Sequence, residues 1–95
     1  MKPLFVKTPV GFGIHALVKQ VAEYLGRELV VVRNTATSIP APNPNTVLFL
    51  DELHTFAPDI IRNTEFTGNA RVFATGDFNA LDAEVKERFE VFTGA

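Results

Sequence analysis

Apolar residues along this chain fall into five short runs and one helical stripe. Leu4-Phe5-Val6 is a buried-strand run that ends in a glycine-bearing loop, Thr8-Pro9-Val10-Gly11-Phe12-Gly13. Ile14, Leu17, Val18, Val21, Ala22 and Leu25 then recur at i, i+3, i+4, i+7, i+8 and i+11, the spacing of an amphipathic helix, with Gly26 as its stop. Leu29-Val30-Val31-Val32 predicts a second strand, apolar enough to be covered on both faces. Pro40, Pro42 and Pro44 exclude regular helix from Asn34 to Asn45, which reads as a loop. Val47-Leu48-Phe49-Leu50 is a third strand running into Asp51-Glu52. Pro58 suits the first turn of a short helix carrying Ile60 and Ile61. Thr67-Gly68-Asn69 turns the chain into a fourth strand, Val72-Phe73-Ala74-Thr75. Asn79 or Asp82 caps a helix with Leu81, Val85 and Phe89 inward, and Glu90 to Thr93 reads as a fifth strand.

Strands alternating with helices imply an α/β fold with a mostly parallel sheet and right-handed crossovers. Residues 1–95 are expected to form a single minimal domain, because 95 residues allow no more. At 46% hydrophobic with nine Phe, the chain can build a packed core. It has no Cys, which excludes disulfides and thiolate metal sites. A net charge of −2 leaves no electrostatic footprint for nucleic acid or an anionic membrane. No apolar run approaches the roughly 20 residues of a membrane span, and Met1-Lys2-Pro3 leads straight into a strand without a signal peptide. A cytoplasmic location is the expectation.

The order of the pieces is more specific than any one of them. A strand, a P-x-G-x-G loop (Pro9 to Gly13) and an amphipathic helix are followed by a strand ending in Asp51-Glu52. Next come a strand ending in Ala74-Thr75-Gly76-Asp77 and a helix ending in Arg88-Phe89 before one more strand. Over nearly its whole length the chain resembles the core of the AAA+ ATPases, and looks most like the MoxR-type branch. The resemblance implies a three-layer P-loop NTPase-like domain with strand order 5-1-4-3-2. It also implies a Walker B role for Asp51 and Glu52, a sensor 1 position at Asp77 and an arginine-finger position at Arg88. The nucleotide loop would then comprise Thr8, Gly11, Gly13, Ile14 and His15.

The departures from that family are all losses. A working P-loop reads G-x-x-x-x-G-K-[ST]: backbone N–H groups cradle phosphates, Lys reaches the β/γ oxygens and the hydroxyl ligates Mg²⁺. Here Gly13 survives, Ile14 replaces the lysine and His15 replaces the hydroxyl. An aliphatic side chain offers no charge to a polyphosphate, and imidazole is a poor Mg²⁺ ligand beside oxygen donors. The family's usual sensor Asn is Asp77, acceptor-only when ionised. Asp51, Glu52 and Asp77 would make the pocket negative with no matching lysine. The proline-rich loop is expected to stand in place of the helix between strands two and three and to leave part of a sheet face thinly covered, and no helical lid is expected after strand five.

Each candidate residue has a plainer alternative. Asp51-Glu52 either bind Mg²⁺ and polarise water or are polar caps at a strand end. Arg88 is either a finger acting in trans or a helix-end Arg favoured by the dipole. His15 either meets an anion at the helix N-terminus or is solvated. Lys7 is misplaced to substitute for the lost lysine, and His54 with Asp59 lacks metal-ligand spacing. The resulting expectation is a non-catalytic AAA+-like protein that needs no cofactor and binds other chains, by self-association or as a phage- or mobile-element-encoded mimic of an AAA+ ATPase. The rival expectation is a diverged ATPase that binds ATP and Mg, through Asp51, at a site completed between subunits.

Overall fold

A computed structural model of the chain describes residues 2–7, 13–64 and 66–93. Five strands, β1 (Leu4–Lys7), β2 (Glu28–Val32), β3 (Thr46–Leu50), β4 (Arg71–Ala74) and β5 (Glu90–Thr93), form one sheet in the order β2-β3-β4-β1-β5. Every neighbouring pair is parallel. This is the expected α/β class and strand order. Helix α1 (Ile14–Leu25) lies on one face, and α2 (Pro58–Arg62) and α3 (Ala83–Glu87) pack on the other.

The alternation of β3 divides the core in two. Val47 and Phe49 point to the α1 side with Val6, Val18, Ala22 and Phe73. Leu48 and Leu50 point to the other side with Phe5, Leu53, Ile61, Val85 and Phe89. All five β3 residues are buried, as befits a strand with neighbours and layers on every side. Helix α1 ends where expected. Gly26 takes φ 66°, its N–H reaches Glu23 O and the N–H of Arg27 reaches Ala22 O, a Schellman closure that a Cβ would strain.

Three expectations change at the element level. The α1 stripe is only partly core, because α1 packs over β2 and β3 and its apolar arc is wider than that contact. Val18 and Ala22 are buried, but Leu17 and Leu25 are 40% and 39% exposed. Strand β2 is not covered on both faces. It is a sheet edge, and Val31 is 39% exposed. Helix α3 is shorter than its apolar pattern: Leu81 and Phe89 are buried from the flanking backbone instead. Asp82 occupies the N-cap position without a capping bond. Its carboxylate instead accepts from Arg62 Nη2 at 2.6 Å, and that hydrogen bond, then the charge, raises the pKa of the guanidinium.

Residues 33–45 contain no helix, and Ala36 and Ile39 tuck against the core cluster beside Val30. The loop therefore covers the face that a helix would have covered. Exposed Val91 lies on that same side by its register with Phe5, whereas two other exposed apolar strand residues lie on the opposite, α1 side. Val31 is there by its register with Phe49, and Phe92 by its register with Val6. Among the described residues no helix is long and apolar enough to cross a membrane.

Candidate functional site

Parallel strands bring all their C-terminal ends to one edge of the sheet, and in open α/β sheets ligands bind outside that edge. Strand β3 delivers Asp51 there, β2 delivers Arg33, β4 delivers Thr75, and α1 begins there at Ile14-His15. Asp51 is the hub, with its side chain only 14% exposed. Arg33 Nη1 donates to its Oδ2 at 3.0 Å and Thr75 Oγ1 to its Oδ1 at 3.4 Å. His15 Nε2 stands 3.6 Å from Oδ1, with the imidazole edge-on to Phe49 at 4.9 Å between centroids.

The expectation is a negative pocket with no matching lysine, and beside Asp51 the structure places an arginine. Arg33 supplies the charge that neutralises Asp51. Arg33 is not among the residues that the sequence singles out. Val32 and Leu50 are in register and Asp51 N–H donates to Val32 O, so the next residues, Arg33 and Asp51, stand abreast.

Backbone conformation then turns the following residues away from a common focus. Glu52 has φ 57°, in the left-handed region, and its N–H donates to Thr75 Oγ1 at 3.2 Å. Its side chain is exposed rather than joined to Asp51. Leu53 N–H donates to Thr75 O at 2.8 Å, stapling the chain after β3 to the end of β4. Asp77 faces its own turn: Oδ1 accepts from Asn79 N–H at 3.1 Å and caps the 3₁₀ turn Phe78–Ala80. The N–H of Asp77 donates to His54 Nδ1 at 3.0 Å. This contact needs Gly76, which has φ 132° and where a Cβ would sit 2.4 Å from His54 Nδ1.

Arg88 is turned into its own chain. Nη1 donates to Ile61 O at 3.0 Å, Nη2 donates to Thr64 O, and the guanidinium lies 4.5 Å from the Phe66 ring centroid. It ties the residues before β5 to the C-terminal end of α2. Thr8 and Gly11 of the nucleotide loop lie outside the described residues, whereas Gly13 has φ 81° as it leads into α1.

These groups do not match the donor set of a P-loop. Ile14 brings no charge, His15 brings an imidazole already near Asp51, and each oxygen of Asp51 has a partner from the chain itself. A cavity of about 460 Å³ lies elsewhere, between the proline loop (Ile39, Pro40, Pro42) and α2 (Asp59, Ile60). It shares none of its lining residues with the Asp51 cluster.

The sequence matches no protein-family model, and no curated protein matches it. Solved structures do. A proline-to-glycine variant of Thermotoga maritima RuvB superposes with TM-score 0.72 at 17% identity, covering 100% of this chain and 39% of that one. An arginine-to-alanine variant of the same protein gives 0.69 at 16%, covering 99% and 38%. The structure described as the Thermotoga maritima RuvB Holliday junction branch migration motor gives 0.66 at 18%, covering 96% and 36%. The chain thus shares the fold of part of RuvB and spans less than two fifths of the RuvB chains that it resembles.

Proposed function

We propose that this chain is a non-catalytic AAA+-like domain that works in the cytoplasm by binding other protein chains, an AAA+ ATPase among the candidate partners. One observation carries the reading. The Asp51 carboxylate, at the Walker B position, is held by Arg33 and Thr75 with His15 beside it, while α1 opens on Ile14-His15. Phosphoryl transfer depends on positioning and on charge set against the phosphates, and these residues direct their charge at one another. Exposed Leu17, Val31 and Phe92 on the α1 side supply apolar surface for a protein contact.

A phage- or mobile-element-borne mimic that caps an ATPase ring fits this reading. It does not depend on Arg88 as a free finger, because the guanidinium is held by Ile61 O and Thr64 O. The alternative, an ATPase whose site is completed between subunits, draws support from Glu52, whose side chain stands exposed at the end of β3.

Phosphate release from Mg·ATP separates the two. The expected rate equals that of the protein-free blank for both the native chain and Asp51→Asn. Turnover by the native chain that Asp51→Asn abolishes would overturn the proposal.

A further inference from the structure

We infer that β5 is a self-pairing edge, along which two copies of this chain join antiparallel about a two-fold axis at Phe92. The inference rests on the reading of the chain as one that acts by protein contacts, and it names one partner. Among the described residues strand β5 has a neighbour on one side only, β1. Glu90 N–H donates to Pro3 O at 2.9 Å, so the main-chain groups of Glu90 and of Phe92, two residues on, face β1. Those of Val91 and Thr93 therefore face outward, as an unfilled row of donors and acceptors.

Edges are ordinarily blunted by lysine, proline or a bulge. Glu90-Val91-Phe92-Thr93 carries neither lysine nor proline and pairs with β1 without a bulge. All four residues are exposed, Val91 at 45% and Phe92 at 47%. The other edge, β2, opens on Glu28 and runs into Arg33, so charge flanks it at both ends.

Stereochemistry then selects the register. A two-fold axis perpendicular to the sheet keeps each face on its own side, so opposed residues must share a face. Hydrogen-bonded pairs must also both point outward. Val91 opposite Thr93 meets both conditions, and the two residues exchange both main-chain bonds. Phe92 then falls opposite its own copy in the close, non-hydrogen-bonded position, forming a cross-strand aromatic pair. That pair continues the α1-side core from one copy into the next, because Phe92 is in register with Val6. Glu90, the strand's single charge, lies past the end of the partner's Thr93 and meets no like charge. Centring the axis on Val91 instead would press Glu90 against a phenyl ring.

Sedimentation velocity on the full chain over a concentration series tests this, with Val91→Pro and Phe92→Lys beside the native protein. Proline at position 91 removes an outward N–H and spares the bonds to β1, an edge position where proline is tolerated. The native chain is expected to reach a dimer. Val91→Pro should raise its dissociation constant roughly ten- to hundredfold, for one main-chain donor lost from each copy, with the circular dichroism spectrum unchanged. Phe92→Lys sets two ammonium groups across the axis and should leave a monomer. A native chain that stays monomeric at millimolar concentration would overturn the inference, as would a dimer that both variants leave intact. Neither result bears on Mg·ATP binding, so the two readings fail separately.

Discussion

Arg33 and Asp51 meet because two parallel strands end in register. That Ile14 and His15 bring neither an ammonium nor a hydroxyl to the start of α1 is legible from the sequence alone. The partner of Asp51 is not, because it depends on register between residues 18 apart along the chain. Arg33 is 64% exposed, so its ion pair is weak. Arg33→Ala is expected to lower unfolding free energy by about 0.5–1 kcal/mol in urea titrations, and by less as salt rises. Gly76 bears a larger constraint. Gly76→Ala requires a left-handed backbone of φ 132° and a 2.4 Å approach to His54 Nδ1, for a cost of about 2–3 kcal/mol. Replacing His54 by Ala in that background relieves the clash but not the strain, so the same titration should show only partial recovery.

Among the elements, helix α1 was the most legible, since its spacing, its first residue and its glycine stop all appear in the sequence. Its depth of burial was not. A helical stripe gives direction, whereas the width of its contact depends on which strands lie beneath it. Val18→Ala, 1% exposed in the native chain, should cost about 2 kcal/mol, and Leu17→Ala, at 40%, well under half of that. Arg88 shows the opposite case, a residue whose place in the chain was legible but whose partners were not. Truncation to Ala leaves Ile61 O and Thr64 O without their donor and removes a cation from the Phe66 face. The expected loss is about 2–3 kcal/mol by chemical denaturation. Arg88→Lys should not restore it, because an ammonium lacks the fork that reaches both carbonyls. An Arg free to act in trans would show almost no such loss.

At the scale of the whole molecule, alternation of strands and helices was enough for an α/β class and a parallel sheet. The order 5-1-4-3-2 was not contained in periodicity. It came from resemblance to the AAA+ core, and the sheet and the RuvB superpositions agree with it. What marks this chain is the C-terminal edge of its sheet, where Asp51 is joined to Arg33 and Thr75. The most direct measurement is a calorimetric titration of the native chain with Mg·ATP, repeated on Asp51→Asn. The account predicts no saturable heat for either protein at millimolar nucleotide. Micromolar binding by the native chain, weakened in Asp51→Asn, would contradict it.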